Sequence, residues 1–102
     1  MKNLIPGHVY EMSNFEKKDQ QGQILQFIHK EPNENNELVT ISDGTTNEEV
    51  LEVLIDRMKY LNNKFSCVEN ELTINHLSFA LFQLNERTRK RIERGVEGTH
   101  LK

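Results

Sequence analysis

The spacing of apolar residues in this chain changes near residue 44, and this change limits the folds that it can adopt. Before that point, short runs alternate between apolar and polar positions, as half-buried strands do; they are HVYEMSNF, QILQFIH and ELVTIS. After it, apolar residues recur every three or four positions, which is typical of helices. The sequence therefore predicts an α+β fold whose strands precede its helices.

The strand-forming half, residues 1–43, predicts a small antiparallel meander of about three strands. Its connectors, EKKDQQG and EPNENN, contain the glycine, proline, asparagine and aspartate residues that turns favour. Three strands alone bury little apolar surface. This sheet therefore needs helices, or another copy of itself, to pack against.

The helical half, residues 44–95, predicts an antiparallel hairpin of two helices, followed by a tail over residues 96–102. Thr46 is the expected N-cap of the first helix. The second helix is expected from about Glu69 to Glu93, with Gly95 ending it. Beyond it, the segment GVEGTH suits either a frayed tail or a backbone nest for phosphate.

The 102 residues of the chain are few enough to form a single domain. Its second helix carries Phe79 and Phe82 outside the stripe that contains Leu77, Leu81 and Leu84. A two-helix hairpin offers too little surface to cover both sets of side chains. We therefore expect the protein to form homo-oligomers through its helices.

The sequence contains no pattern that indicates catalysis, metal binding or membrane insertion. Its four histidines are far apart, and Cys67, the single cysteine, has no histidine nearby. Glycine-rich phosphate loops and nucleophile elbows are missing, as are signal-peptide-like and membrane-spanning apolar runs. We therefore expect a cytosolic, non-enzymatic protein that needs no metal or cofactor.

The segment NERTRKRIERG concentrates positive charge in a chain whose net charge is −3. Arg87 and Arg91 are four residues apart and share a helix face, where paired guanidiniums can bind phosphate or pyrophosphate. Arg94 continues this row, whereas Arg89 and Lys90 are expected to point elsewhere. Cations that only complement the helix dipole are an equally good explanation of the pattern.

The charge outside this segment bears on the size of any anionic partner. Residues 85–94 carry +3, which leaves −6 on the remainder of the chain. That remainder would repel a long polyanion, so a compact phosphorylated ligand is favoured over duplex nucleic acid. A small nucleic-acid-binding or regulatory protein remains the alternative interpretation.

Two further residues are candidates for binding a nucleotide. Tyr60 lies near the end of the first helix and Asn70 near the start of the second, so the hairpin should make them neighbours. They would offer a stacking ring and an amide. Packing of Tyr60 and capping by Asn70 explain the same residues without a ligand.

Several stretches occur together in the order found in one phage protein family. They are HVYEMSNF, QILQFIHKEP, DGTTNEEVLEVLIDRMKYLNNKF, CVENELTINHLSFALFQLNERTRKR and RGVEGTH. The chain resembles the Thoeris anti-defence sponges of the first type over nearly its whole length, and most strongly from DGTTNEEVL onward. The resemblance implies a small sheet with a helical hairpin, assembled as a dimer or a hexamer.

The resemblance also implies a function in the cytoplasm of a phage-infected bacterium. Such sponges sequester the cyclic ADP-ribose isomers that host TIR-domain proteins produce, and they do not degrade them. Some relatives also bind cyclic di- or trinucleotides of the CBASS defence at separate sites. Neither a membrane nor duplex nucleic acid is expected as a partner.

The family's binding residues correspond to five positions in this chain. The resemblance implies that Tyr60 stacks on adenine, that Asn70 contacts the ligand, and that the diphosphate is bound by Arg87 and Arg91. It also implies that Phe15, in SNF, closes the pocket. Asn70 and Arg87 lie 17 positions apart, about 25 Å along a helix, so one pocket would take residues from two chains.

Overall fold

A computed structural model of the chain describes residues 1–100; residues 101 and 102 of the predicted tail lie outside that range. The fold is α+β, as predicted, with five strands followed by two helices. The chain divides into two compact units, one ending at Thr46 and the other beginning at Asn47. This division lies close to the change in apolar spacing at residue 44.

The strands of the first unit form two small antiparallel sheets. One sheet has the order β1-β2-β3 and the other pairs β4 with β5; the strands are β1 Lys2–Ile5, β2 Val9–Met12, β3 Gln23–Gln26, β4 His29–Pro32 and β5 Leu38–Ser42. In the first sheet, Tyr10 pairs with Leu25. The ring of Tyr10 also meets that of Phe27 edge to face, at 6.0 Å between centroids.

The prediction of about three strands in one meander is wrong in two respects. The first strand, KNLI, does not alternate, because its apolar residues Leu4 and Ile5 are adjacent and both exposed. The predicted strand QILQFIH is divided between the two sheets. The amide of Phe27 donates to the His8 carbonyl, whereas the amide of Ile28 donates to the Thr45 carbonyl, each at 2.8 Å. These different partners make the chain leave one sheet and enter the other.

The turn between β4 and β5 has the chemistry that EPNENN predicts. The side-chain oxygen of Asn33 accepts hydrogen bonds from the amides of Asn35 and Glu37, both at 2.9 Å. Asn36 adopts a left-handed backbone conformation with φ of 61°, which asparagine tolerates better than most residues. The asparagines therefore stabilise the turn that joins these two strands.

The second unit contains two helices that pack against each other, α1 Asn47–Lys64 and α2 Val68–Glu93. The first begins directly after the predicted cap, Thr46, and the second begins one residue before the predicted start. Only residues 65–67 connect them, so the helices run in opposite directions. Cys67 is the N-cap of α2, and its sulfur accepts a hydrogen bond from the Asn70 amide at 3.4 Å.

Burial in the described part of the chain is unusual. No apolar side chain among residues 1–100 is fully buried, and the one buried residue in that range is Arg91, which is 7% exposed. Leu77, Leu81 and Leu84 are half-buried, whereas Phe79 and Phe82 are 63% and 55% exposed. The two phenylalanine rings stack on each other, with centroids 6.5 Å apart. The apolar residues of α2 thus form the two sets that the sequence predicts.

Neither helix of the second unit is long and apolar enough to cross a membrane, within residues 1–100. Both helices carry charged residues along their length, as the sequence shows. The expected oligomerisation through the helices remains a prediction.

The connection between α1 and α2 yields a stability prediction at Asn62. Its side-chain oxygen accepts a hydrogen bond from the Cys67 amide at 3.1 Å, and its carbonyl accepts one from the Ser66 hydroxyl at 2.9 Å. Asn62→Ala leaves the Cys67 amide without this acceptor, so we expect a loss of about 1 kcal/mol in the free energy of unfolding. The measurement is urea unfolding followed by circular dichroism.

Asn63→Ala is the matched control, because Asn63 is the exposed neighbour on the same helix. Both substitutions gain the same helix propensity, so the difference between the two variants isolates the hydrogen bond. Equal unfolding midpoints for the two variants would contradict the prediction.

Candidate functional site

A groove near the C-terminal end of α2 brings several cations together. Its volume is about 700 Å³, and its lining consists of Gln83, Glu86, Arg87, Lys90, Arg91, Glu93 and Arg94. Arg87, Arg91 and Arg94 line it together, as their spacing predicts. Lys90 also lines it and does not point elsewhere as expected, because it follows Arg87 by three residues and so remains a neighbour on the helix surface.

The two acidic residues of the groove are paired with Arg89, which is not among the lining residues named above. The guanidinium of Arg89 donates to both carboxylate oxygens of Glu86, at 3.0 to 3.3 Å, and to Glu93 at 3.0 Å. The hydrogen bond from Arg89 lowers the pKa of Glu86, and the same bond raises the pKa of Arg89. Both acids therefore direct their charge toward Arg89.

The pH dependence of this pair follows from the lowered pKa of Glu86. The Glu86–Arg89 ion pair contributes its full stabilisation of the folded chain above the ordinary pKa of a glutamate. This stabilisation is lost as the pH falls through the lowered pKa of Glu86. The ion pair between Glu86 and Arg89 is therefore present at neutral pH.

Arg91 differs from Arg87 in that the C-terminal segment covers it. Its Nη2 donates to the carbonyls of Val96 and Thr99 at 3.0 and 2.9 Å, and its Nε lies 3.4 Å from the Glu97 carboxylate. Arg87, one turn earlier, is exposed. The two arginines of the predicted pair therefore share a groove but have different surroundings.

The first two residues of GVEGTH, Gly95 and Val96, are neither frayed nor part of an open phosphate nest. Gly95 has a φ of 72°, which glycine adopts readily, and the helix ends there in a Schellman-like cap. The amides of Arg94, Gly95 and Val96 donate to the carbonyls of Lys90, Ile92 and Arg91, at 3.0 to 3.1 Å. Because carbonyls of the helix already engage these amides, they do not form a nest for a phosphate.

Tyr60 lies on the exposed surface of α1, with 61% of its area accessible. The ammonium of Lys64 lies 4.9 Å from the centroid of its ring. Tyr60 also lines two shallow concave surfaces, and Asp56, one turn before it, lines both of them. An exposed aromatic ring of this kind can stack on a planar base.

Asn70 lies in the first turn of α2, where its side-chain amide donates to the Phe65 carbonyl at 3.4 Å. Because α2 is continuous from Val68 to Glu93, Asn70 and Arg87 lie about 25 Å apart along its axis. Phe15 belongs to the first unit, where it is 90% exposed. The ligand-binding roles of these residues remain predictions.

Metal binding finds no geometric support in the described part of the chain. Across residues 1–100, no group of three histidine, cysteine, aspartate or glutamate side chains is arranged to hold a metal ion. The chemistry that the groove offers is charge-assisted hydrogen bonding to an anion.

The fold and the groove together define a small α+β protein with a groove rich in cationic side chains at one helix end. No protein-family model matches the chain. It is 45% identical, over 62 residues, to a protein of Bacillus phage SBSphiJ7 named Thoeris anti-defense 1. The aligned region is 60% of this chain but only 44% of that relative, so the chain spans less than half of the relative's length. This similarity confirms the predicted resemblance to the Thoeris anti-defence proteins.

The pairing of Arg89 with two groove acids yields a binding prediction. Arg89→Ala removes the cation that compensates Glu86 and Glu93, so the groove becomes more negative although its lining is unchanged. We expect the affinity for inorganic pyrophosphate to fall about threefold, which is typical of surface charge interactions. Isothermal titration at low ionic strength measures this change.

Arg89→Lys serves as the control, because it keeps the positive charge beside the two acids. This variant should bind pyrophosphate within about twofold of the unmodified protein. If Arg89→Ala binds pyrophosphate as tightly as the unmodified protein does, the proposed compensation is incorrect.

Proposed function

We propose that this chain is a phage anti-defence protein that binds cyclic ADP-ribose signals of the Thoeris system and sequesters them without degradation. Its similarity to the phage relative supports the anti-defence role. The observation that carries the ligand assignment is the cationic groove at the end of α2. On this proposal the protein acts in the cytoplasm of the infected bacterium.

The charge distribution favours a compact ligand over a polymer. Four cations line one groove, while the chain as a whole carries a net charge of −3. A diphosphate places its charges within the reach of two arginine side chains. Duplex nucleic acid would extend over surface that carries net negative charge and would be repelled there.

The opposite end of the helix pair supplies groups suited to a nucleoside. Tyr60 presents an exposed ring for stacking on adenine, and Asn70 carries an amide that can donate to and accept from a base. The Arg87 end lies about 25 Å from Asn70 along α2. A single molecule of cyclic ADP-ribose is too small to contact both ends of the same chain.

We therefore infer that each pocket is shared between two copies of the chain. An antiparallel pair related by a two-fold axis brings the Tyr60 and Asn70 end of one copy to the Arg87 end of the other, and creates two identical pockets. Phe79 and Phe82, exposed between these ends, supply apolar surface for the pairing. Assembly of such dimers into a hexamer, a second site for cyclic di- or trinucleotides and the role of Phe15 all remain predictions.

Mixing two inactive variants tests the shared pocket. Arg87→Ala and Asn70→Ala should each weaken binding of cyclic ADP-ribose at least tenfold, because each removes a hydrogen-bonding group from every pocket. Unfolding and refolding an equimolar mixture should restore about one tight site per four chains, since half of the dimers are mixed and each has one intact pocket. Isothermal titration gives the number of tight sites.

A second Arg87→Ala sample refolded without Asn70→Ala is the control, and it should remain without tight sites. Absence of tight sites in the mixture would contradict a pocket shared between copies.

Heating the ligand-loaded protein should release the cyclic nucleotide chemically unchanged, whereas recovery of linear ADP-ribose would identify an enzyme. A salt-sensitive mobility shift with duplex DNA or RNA, without nucleotide binding, would favour the nucleic-acid alternative.

A further inference from the structure

The loop that follows α2 folds back onto Arg91. It is referred to below as the C-terminal loop and comprises residues 95–99. Two of its carbonyls, those of Val96 and Thr99, accept hydrogen bonds from Nη2 of Arg91, and the carboxylate of Glu97 faces Nε. These contacts lie along one edge of the guanidinium, the edge formed by Nε and Nη2.

The C-terminal loop is itself well supported. The amide of Val96 donates to the Arg91 carbonyl at 3.0 Å, and the amide of Thr99 donates to the Val96 carbonyl at 3.1 Å. The hydroxyl of Thr99 donates to that same Val96 carbonyl at 2.6 Å. The two carbonyls that face Arg91 are therefore held in place by hydrogen bonds within the loop and to the end of α2.

Such support matters because an arginine loses rotamer freedom when it binds an anion. An exposed arginine loses this freedom on binding, which lowers its affinity, whereas an arginine already held by its neighbours loses little. Arg91 is 7% exposed and lines the groove, while Arg87 is exposed on the preceding turn. Of the two, Arg91 is the pre-organised member.

We propose that Glu97 is a positioning residue for the anion site: with the carbonyls of Val96 and Thr99, it holds the Arg91 guanidinium where it lines the groove. The proposal rests on the proposed function for the identity of the natural ligand. The orientation of Arg91 by Glu97 does not depend on that identity, and inorganic pyrophosphate serves as a second probe.

A different role for Glu97 is that of an internal competitor that an incoming anion displaces. An anion taking the Nε and Nη2 edge would have to displace two backbone carbonyls as well as the carboxylate. Those carbonyls belong to a loop with its own hydrogen bonds, so displacement would disrupt the end of the helix. The positions of these acceptors therefore favour orientation of Arg91 over competition for it.

The two roles predict opposite effects of removing the acid. Glu97→Ala should weaken binding of cyclic ADP-ribose and of inorganic pyrophosphate about fivefold if the residue orients Arg91. Glu97→Gln, which keeps an acceptor of the same length, should restore binding to within about twofold. Isothermal titration of the full-length chain measures both probes.

Glu93→Ala is the matched control, because Glu93 is an acid that lines the groove on the preceding turns. Removing it should strengthen binding, since a negative charge is lost near the anion. If long-range electrostatics alone acted, Glu97→Ala would also strengthen anion binding. Weaker binding by Glu97→Ala, together with tighter binding by Glu93→Ala, therefore separates positioning of Arg91 from the effect of charge.

A double-mutant cycle shows whether Glu97 acts through Arg91. Glu97→Ala should have less than about a twofold effect in an Arg91→Ala background, and should keep its fivefold effect in an Arg87→Ala background. Solvent exchange of the Arg91 Nε proton, followed by nuclear magnetic resonance, should be slow in the unmodified protein and in Glu97→Gln, and fast in Glu97→Ala.

The outcomes separate the two proposals. Binding of pyrophosphate with the expected cycle, but no binding of cyclic ADP-ribose, overturns the proposed function and supports the role of Glu97. Binding of cyclic ADP-ribose that Glu97→Ala leaves unchanged or strengthens overturns the role of Glu97 alone. Equal effects of Glu97→Ala in both arginine backgrounds also overturn it, and binding of neither probe overturns both proposals.

Discussion

The continuous helix α2 holds Asn70 and Arg87 about 25 Å apart, and the proposed arrangement of the binding site depends on this separation. A helix of 26 residues without an interruption cannot bend its two polar ends onto one small molecule. A nucleotide that needs both a base-binding group and a phosphate-binding group must then obtain them from different copies. In the proposed arrangement, the exposed phenylalanines between the ends would give those copies apolar surface through which to associate.

Three of the arginines near the end of α2 differ in their surroundings. Arg87 is exposed and able to approach an anion, Arg91 is held by the loop beyond the helix, and Arg89 is occupied by two acids. The chemistry of arginine explains the division, because a planar fork of donors is suited both to carboxylates and to backbone carbonyls. A basic segment that looks uniform in sequence is therefore differentiated by its partners.

Local signals made the helices predictable, and non-local contacts explain what was missed. The helix starts near Thr46 and Val68 follow from capping and apolar spacing, which residues close in sequence determine. The first strand was not predicted because its residues do not alternate between apolar and polar. Pro6 and Gly7 do indicate the turn that follows it, which is closed by a hydrogen bond of 2.9 Å from the His8 amide to the Ile5 carbonyl. The contact of Glu97 with Arg91 lies beyond the end of the helix, where no helical period applies.

Sedimentation velocity in the presence of cyclic ADP-ribose tests most directly whether a complete site needs two chains. The chain has no tryptophan and two tyrosines, so absorbance at about 260 nm follows mainly the adenine of the ligand. The account predicts that nucleotide absorbance sediments with a dimer or a larger assembly, and that the 12.0 kDa species carries none. Nucleotide sedimenting with the 12.0 kDa species would contradict it.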